Sequence, residues 1–285
     1  MKAIETKELT YKYSVGTPFE TTAIDNISFS VEKGDFVGII GHTGSGKSTL
    51  MQHLNGLLKQ THGDVIINER NIWSKDVNIK EIRFEVGLVF QYSEHQLFEE
   101  TVFKDIAFGP KNMELSEGEI KTRVLEASNA MGIREEWLSR SPFDLSGGQK
   151  RRVALAGVIA MRPKILILDE PAAGLDPHGR STVFKRINDY HKSSDTTVLL
   201  VSHSMEDIVR YAEKVLVMNK GRIYCFEKTE NVFSHYAGIE KIGLDLPQIT
   251  RVAQKLKECG VDVGDDVYTP EKMAQRIFER LKNEP

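Results

Sequence analysis

The chain has 285 residues, with 38 Lys and Arg against 41 Asp and Glu, and its formal net charge is −3. This length accommodates one large domain or two smaller ones, and the slightly acidic balance argues against nucleic-acid binding through bulk electrostatics. Cys225 and Cys259 are too far apart in sequence for a disulfide framework or a metal site, which favours a reducing cytosol.

Apolar runs in the first part of the chain predict strands. The N-terminus carries no signal-peptide pattern, and each apolar run is shorter than the roughly 20 residues that span a bilayer. Residues alternate in polarity over Leu9–Tyr13 and again over Ile27–Val31, as in half-buried strands. Phe36–Ile40 is continuously apolar and predicts a buried strand that leads into a glycine-rich loop.

The remainder alternates between helical and strand patterns. Residues from about 97 to 160 are helical in pattern, and strand character returns at Ile165 and alternates with helices to about Arg222. The tail from about 230 is again helical, with Pro247 and Pro270 favouring helix starts. This order predicts an α/β core that is interrupted by a helical insertion and followed by a helical extension.

A phosphate-binding loop follows the strand Phe36–Ile40. The pattern G-x-x-x-x-G-K-[ST] is matched by Gly41-His42-Thr43-Gly44-Ser45-Gly46-Lys47-Ser48, and Thr49 continues into a helical segment. Backbone N–H groups of such a loop surround phosphate oxygens, and the helix N-terminus adds its dipole. Lys47 is expected to neutralise the β- and γ-phosphates, and Ser48 to offer a hydroxyl to Mg²⁺.

Two acids end another apolar strand. Ile165–Leu168 runs directly into Asp169 and Glu170. Because ligands of open α/β sheets lie outside the carboxyl ends of the strands, both acids are expected beside the phosphate loop. Asp169 is expected to hold Mg²⁺ through ordered water, and Glu170 to polarise the attacking water.

The segment Leu145-Ser146-Gly147-Gly148-Gln149 decides among the classes of phosphate-loop protein. Ser146 and Gln149 have the spacing of a reciprocal capping box at the start of a helix. Capping alone would not require Gly147 and Gly148, each of which disfavours a helix interior by roughly 0.8–1.0 kcal/mol. The two glycines would let the phosphate of another molecule approach the backbone.

This segment resembles the signature of the ABC ATPase family, and further family features occur in order. Gln91 resembles the Q-loop glutamine, Gly174–Asp176 the D-loop, and His203 the switch histidine. Tyr13 is similar to the aromatic residue that stacks on adenine, with Tyr11 as its rival. The resemblance covers roughly residues 3 to 228.

The resemblance implies an α/β fold, with a RecA-like lobe and an antiparallel β subdomain. It implies an ABC ATPase domain over 1–228, with the helical subdomain at about 97–160, and a helical extension over 229–285 used for dimerisation. ATP and Mg²⁺ are the implied cofactors. The implied catalytic residues are Glu170, His203 and Gln91. The implied metal ligands are Ser48, Gln91 and Asp169. The implied nucleotide contacts are Tyr13, Gly41, Gly44, Ser45, Gly46, Lys47, Ser48, Thr49, Ser146, Gly147, Gly148, Gln149 and Asp176.

The family also implies a head-to-tail dimer, in which each ATP lies between the phosphate loop of one subunit and the signature segment of the other. Site chemistry supports this expectation, since a phosphoryl transition state needs positive dipoles on more than one side. The chain shows no arginine finger for its own site, so the capped helix at Ser146 could supply those dipoles to a partner.

Local strings narrow the resemblance to energy-coupling-factor transporters. The strings that carry it are the Gly-His-Thr-Gly loop, Val89–Tyr92, Gln96–Phe98 and Gly243–Pro247. These prokaryotic importers of vitamins and transition-metal ions pair two ATPases with a membrane coupling subunit and a substrate-binding membrane subunit. The chain is more similar to the second ATPase, although Ala172 stands where that subunit usually has Thr. The implied location is the cytoplasmic face of the cell membrane.

Three alternatives differ in partner or class. A homodimeric cobalt or nickel importer ATPase shares most of these features. An ABC-type DNA-repair ATPase would carry long heptad insertions, whereas the interval between phosphate loop and signature is only about 100 residues and has no basic stripe. A GTPase is disfavoured because Asn219–Arg222 lacks the aspartate of a guanine-reading segment.

Two surfaces are expected to contact partners. Residues 91–103 interleave polar side chains with Leu97, Phe98, Val102 and Phe103, which would either join the core of the helical lobe or receive a helix of the coupling subunit. The tail carries apolar residues at helical spacing, which would fold back on this chain or clasp the partner ATPase. The tail residues are Ile249, Val252, Ala253, Leu256, Met273, Ala274, Ile277, Phe278 and Leu281. If the tail clasps the partner ATPase, we expect that deletion of the residues after about 240 leaves each monomer folded and able to bind ATP.

Overall fold

The computed structural model describes residues 1–234 and 237–283. Residues 235, 236, 284 and 285 of the predicted extension therefore lie outside the described part. The described strands are β1 (Lys2–Tyr13), β2 (Thr21–Glu32), β3 (Phe36–Gly41), β4 (His62–Ile67), β5 (Arg70–Asn71), β6 (Val86–Val89), β7 (Ile165–Asp169), β8 (Thr197–Val201), β9 (Lys214–Asn219) and β10 (Arg222–Lys228). The described α-helices are α1 (Lys47–Leu54), α2 (Ile79–Glu85), α3 (Val102–Asn112), α4 (Glu117–Ala130), α5 (Gly147–Ile159), α6 (Pro177–Ser194), α7 (Met205–Tyr211), α8 (Thr229–Ser234), α9 (Ala237–Lys241), α10 (Gln248–Glu258) and α11 (Pro270–Asn283).

The larger sheet brings the sequence-predicted site to one edge. Its strand order is β10-β9-β3-β8-β7-β6, and all neighbours run parallel except the β9–β10 hairpin. Ile39 pairs with Val201 on one side and Leu216 on the other. These strands are buried on both faces, which explains why they are continuously apolar in sequence. The carboxyl ends of β3, β7 and β8 carry the phosphate loop, the acid pair and His203.

The smaller sheet is antiparallel, with the order β2-β1-β4-β5. Ile4 pairs with Val31 and with Ile67, so the alternating apolar residues of these strands share one face. That face joins a core cluster with Leu50 of α1 and Ile39 of β3, which lies between the two sheets. The predicted fold class, an α/β core with an antiparallel β subdomain, is confirmed.

The predicted helical insertion contains α3, α4 and α5, which pack on one another. A second core cluster joins them to the other face of the larger sheet, with Val102 of α3, Val124 of α4 and Leu155 of α5 beside Leu166 of β7. Because burial of apolar side chains is favourable, this shared core holds the helical insertion against the sheet.

The helical extension is partly buried against itself. Pro247 is the N-cap of α10 and Pro270 is the first residue of α11, as predicted. Ala253 and Met273 form a small cluster with Val263 and Val267. Five residues of the predicted apolar faces remain exposed: Val252, Ala274, Ile277, Phe278 and Leu281. Among the described residues, no helix combines the length and apolar composition that crossing a membrane requires.

Candidate active site

The phosphate loop lies between the carboxyl end of β3 and the start of α1. Gly46 has φ of 99°, and a Cβ at this position would lie 2.7 Å from the Ala23 carbonyl oxygen, so the close turn requires glycine. The ammonium of Lys47 donates to the carbonyl oxygens of Gly41 at 2.6 Å and His42 at 2.9 Å. Lys47 therefore holds its charge inside the loop, where burial lowers its pKa.

The loop is chemically suited to a phosphate chain. Ser45 Oγ is buried and has no hydrogen-bond partner in the described part of the chain. A buried hydroxyl of this kind ordinarily finds a partner, and a phosphate oxygen in the loop would provide one. Gly44 and Gly46 both have positive φ, which lets backbone N–H groups converge on an anion.

Ser48 and Asp169 form an oxygen-donor pair. The Ser48 hydroxyl donates to Asp169 Oδ2 at 3.3 Å, although the two residues are 121 positions apart. Burial raises the pKa of Asp169, opposed by the Ser48 hydrogen bond and by the charge of Lys47. A hydroxyl and a carboxylate beside a phosphate loop suit Mg²⁺, which prefers oxygen ligands and is bound with one or two carboxylates plus substrate phosphates. The residues present therefore fit the implied ion.

Glu170 is held in a strained position next to His203. It has φ of 50° in the left-handed region, which is uncommon for a non-glycine residue and frequent at functional sites. Its Oε1 accepts the backbone N–H of His203 at 2.6 Å, and His203 Nε2 lies 3.9 Å from the same oxygen. Burial is the main cause that raises the pKa of Glu170 to about 7. A carboxylate with this pKa is suited to accept a proton near neutral pH.

His203 favours its neutral form. Burial is the main cause that lowers the pKa of His203, and the charge of Lys47 lowers it further. A neutral imidazole beside Glu170 can donate through one nitrogen and accept through the other. His203 thus lies where it could contact a γ-phosphate oxygen or the water that attacks it.

Two further predicted residues lie at the rim of the site. Gln91 is exposed and lies two residues after the end of β6, the neighbour of β7. The Tyr13 hydroxyl lies 3.3 Å from Thr49 Oγ1, and the ring is 41% exposed. Tyr11 is less exposed and packs edge-on against both Tyr13 and His53. Of the two rivals, Tyr13 therefore has the ring that is free to stack on a base.

The signature segment lies at a separate groove. Both bonds of the predicted capping box are present: the Ser146 N–H donates to Gln149 Oε1 at 2.8 Å, and the Gln149 N–H donates to Ser146 Oγ at 3.4 Å. A groove of about 560 Å³ is lined by Ser146–Gln149 together with Gly174–Asp176, while Asp176 caps α6 through the Gly179 N–H. Among the described residues that line this groove, none belongs to the phosphate loop.

An ion pair that the sequence did not predict joins the signature helix α5 to the segment that follows Gln91. Arg151 of α5 donates in bidentate fashion to Glu94 at 2.7 and 2.6 Å, and to the Pro171 carbonyl oxygen at 3.1 Å. Burial opposes ionisation of Glu94, but the hydrogen bonds and charge of Arg151 outweigh it, so the pKa of Glu94 lies below its ordinary value. Arginine is rarely this buried, and the charge of Arg151 is compensated by the acid 57 positions away.

Residues 91–103 separate into core and surface. Leu97 and Val102 are buried in the main core, which favours the first of the two interpretations for these residues, the core of the helical lobe. Phe98 is exposed and meets Phe108 edge-on at a ring distance of 5.0 Å. Alternation of polarity alone could not separate the two sets, because the segment turns sharply at Tyr92, which has φ of 56°.

Comparison with known proteins agrees with this geometry. A profile of the family described as "ABC transporter" matches residues 24–173. The chain is 53% identical over 279 residues to "Energy-coupling factor transporter ATP-binding protein EcfA2" of Caldanaerobacter subterraneus subsp. tengcongensis, covering 98% of both chains. The chain belongs to this family of ABC transporter ATPases.

Solved structures of ABC ATPases also share the fold of this chain. The chain is similar to "Structure of cbiO1 from clostridium perfringens: Part of the ABC transporter complex cbiONQ", with 38% identity, a TM-score of 0.75 and coverage of 89% of this chain and 99% of that one. It is also similar to the ABC ATPase in "Dimeric structure of a post-hydrolysis state of the ATP-binding cassette MJ0796 bound to ADP and Pi", with 27% identity, a TM-score of 0.70 and coverage of 79% and 98%. As an ABC ATPase, the chain binds ATP and couples its hydrolysis to transport.

Proposed function

We propose that the chain is one of two ATPases that energise micronutrient uptake by an energy-coupling-factor importer at the cytoplasmic face of the membrane. The similarity to EcfA2 proteins over nearly the whole chain supports this proposal. The second candidate, a homodimeric cobalt or nickel importer ATPase, has less support because the relatives that match the chain at about 50% identity are named for the energy-coupling factor transporter. Co-purification from the native host distinguishes them, since the first requires two ATPase types in one complex.

The separation of the two grooves supports a composite site. The phosphate loop faces Asp169, Glu170 and His203, whereas the signature segment faces the D-loop. A γ-phosphate in the loop would have donors on one side only, and developing charge is stabilised best by donors on several sides. We therefore assign Ser146, Gly147, Gly148 and Gln149 to the ATP of a partner subunit. No nucleic acid is part of the proposed complex.

Different residues of this chain are assigned to nucleotide binding, metal binding and proton transfer. Lys47 and the loop N–H groups would hold the phosphates, Ser48 and Asp169 would hold the metal with Gln91 at the rim, and Tyr13 would stack on the base. Glu170 Oε accepts the proton of the attacking water while His203 donates to the phosphate. Mg²⁺, when bound, would neutralise charge on the β- and γ-oxygens.

Ser146→Arg should inactivate the partner's site and spare its own. The larger cation would displace the capping hydroxyl and fill the groove that receives the partner's phosphate, and loss of one such donor set costs about 10²–10³-fold in rate. Mixed dimers that pair Ser146→Arg with an intact second ATPase would locate the defect by trapping nucleotide in each site. Loss of turnover only at the mutant subunit's own phosphate loop would contradict the head-to-tail assignment.

We assign the exposed aromatic pair Phe98 and Phe108, together with the exposed Tyr92, to contact with a helix of the membrane coupling subunit. Tyr92 directly follows Gln91 in sequence, so a helix docked on Tyr92 would sense a change at the rim of the site. Helix-in-groove docking uses apolar anchors of this type. The substrate-binding membrane subunit would attach through the same membrane partner.

The exposed end of α11 is assigned to the partner ATPase. Phe278 and Leu281 are each 64% exposed, and apolar surface of this kind on one helix is typical of an interface. Leu244 and Leu246, by contrast, are buried in the main core, so the sequence-based truncation after about 240 would damage the domain itself. A surface substitution is therefore the sharper test.

Phe278→Glu with Leu281→Glu should leave the monomer folded and able to bind ATP, because both side chains lie at the surface. The same change should weaken association with the partner in nucleotide-free buffer, which sizing at several protein concentrations would measure. Leu125→Glu on α4 is the matched control, since Leu125 is also exposed. An unchanged dimer in the double variant would show that α11 is not the clasp.

A further inference from the structure

The chain that leaves the ATPase core returns across the phosphate loop before it reaches α10. We call residues 242–248 the strap. Leu244 and Leu246 of the strap are buried in the same core cluster as Phe36 and Ile40 of β3. The strap is therefore anchored in the main core of the ATPase domain.

A side chain of the phosphate loop holds the strap. His42 Nε2 lies 2.7 Å from the carbonyl oxygen of Ile242, 200 positions away. A backbone carbonyl can only accept, so Nε2 carries the hydrogen and donates it. The backbone carbonyl of His42 meanwhile accepts from Lys47. One residue thus contacts the tail through its ring and the phosphate-binding lysine through its backbone.

The strap is shaped to receive this bond. The Gly243 N–H donates to the Glu240 carbonyl and the Leu244 N–H to the Ile239 carbonyl, which is the Schellman arrangement that makes Ile242 the C-cap of α9. The Ile242 carbonyl is thereby one of the acceptors that a helix end leaves without an internal partner. Gly243 has φ of 78°, and a Cβ there would lie 3.1 Å from His42 Nε2.

A second contact ties the strap to the turn after β8. The Gln248 N–H donates to Glu206 Oε1 at 3.1 Å, and Glu206 Oε2 accepts from the hydroxyl of Ser204 at 3.2 Å. Ser204 directly follows His203 and caps α7. The strap therefore contacts the loop that holds the phosphates, and its last residue contacts the first turn of α7, which begins just after His203.

We propose that the strap couples the phosphate loop to the C-terminal helices, with His42 as the positioning residue. Nucleotide in the loop and an ordered strap stabilise each other, because the His42 ring bond holds the loop in the shape that nucleotide requires and so reduces the ordering cost of binding. The coupling is reciprocal: whatever the strap adds to nucleotide affinity, nucleotide adds to strap stability. The histidine of the loop and the carbonyl that precedes the glycine of the tail are thus the two halves of one contact.

Two measurements on the full-length chain test the coupling. ADP is the probe, because it fills the loop without being hydrolysed. In the wild type, ADP should slow amide hydrogen exchange in residues 242–248 by about fivefold or more. In His42→Ala, the strap should exchange faster without nucleotide and should no longer respond to ADP. His42→Gln, which keeps a donor, should restore part of the response.

Gly243→Ala breaks the contact from the tail side and leaves the phosphate loop unaltered. By reciprocity it should weaken ADP binding by a factor similar to that of His42→Ala, and the double variant should be no weaker than the stronger single one. His62→Ala is the control, because its ring is exposed on the other sheet beside Glu8. The proposal is overturned if strap exchange ignores ADP in the wild type, if it still responds in His42→Ala, or if Gly243→Ala binds ADP with unchanged affinity.

Discussion

Glu170→Gln is expected to lower the rate of ATP hydrolysis by about 10²–10⁴-fold, the usual contribution of a general base, while ATP binding is retained. The amide oxygen of Gln can still accept the His203 N–H that now binds Glu170 Oε1, so the local structure is preserved and only the proton acceptor is lost. Single-turnover hydrolysis and equilibrium ATP binding, measured on the same preparation, separate the two effects.

Lys47→Ala is the matched control for this prediction. It removes the charge that neutralises the phosphates and should abolish tight Mg-ATP binding. The two variants thus fail at different steps. Near-normal hydrolysis in Glu170→Gln would show that another group accepts the proton.

The pH dependence gives an independent check on Glu170. Its pKa is raised from 4.5 to about 7, so the folded, nucleotide-free protein favours the protonated carboxyl. Because kcat/KM reports the ionisation of the nucleotide-free enzyme, kcat/KM for ATP should fall as the pH drops below about 7. Stability has the opposite sign: the stability linked to the raised pKa is present in full below pH 4.5 and is lost as the pH rises through about 7. Glu170→Gln should consequently raise the melting temperature at pH 8 and change it little at pH 4.5.

Arg151→Met is expected to destabilise the protein by about 3–5 kcal/mol, since it leaves Glu94 as a partly buried charge without its partner. Arg151 also holds the Pro171 carbonyl, so the change disconnects the signature helix from the segment after Gln91 and from the end of β7. Urea denaturation of the full chain measures the free energy of unfolding. A loss below about 1 kcal/mol would contradict the importance of the pair.

Two comparisons make this result specific. Arg162→Met breaks an exposed pair with Glu126, whose side chains are about half exposed, and should cost less than about 1 kcal/mol. Arg151→Met with Glu94→Leu removes both charges and should recover much of the stability, because no unpaired charge remains. Acid should act in the same direction as Arg151→Met: the depressed pKa of Glu94 means that its stabilisation is present above about 4.5 and is lost as the pH falls through its folded pKa.

The sequence alone determined the features that depend on neighbours along the chain. The loop from Gly41 to Ser48 could be predicted because Lys47 bonds carbonyls only five and six positions away. The capping box of Ser146 and Gln149 spans only three positions. The buried strands are short, continuously apolar runs, so their burial on both faces could be predicted without knowing which strands lie beside them. Such patterns are set by local geometry, so spacing is sufficient evidence for them.

Only the tertiary structure decided which distant residues meet. Spacing cannot show that Arg151 would be buried against Glu94, 57 positions away, or that the His42 ring would reach a carbonyl 200 positions further on. The same limit applies to Leu97 and Phe98, adjacent residues of similar polarity, of which one is buried and the other exposed. Each outcome depends on how the strands order themselves in the larger sheet and on where the chain turns between them. Local sequence determines the elements, whereas the contacts between elements are set by packing that buries the most apolar area.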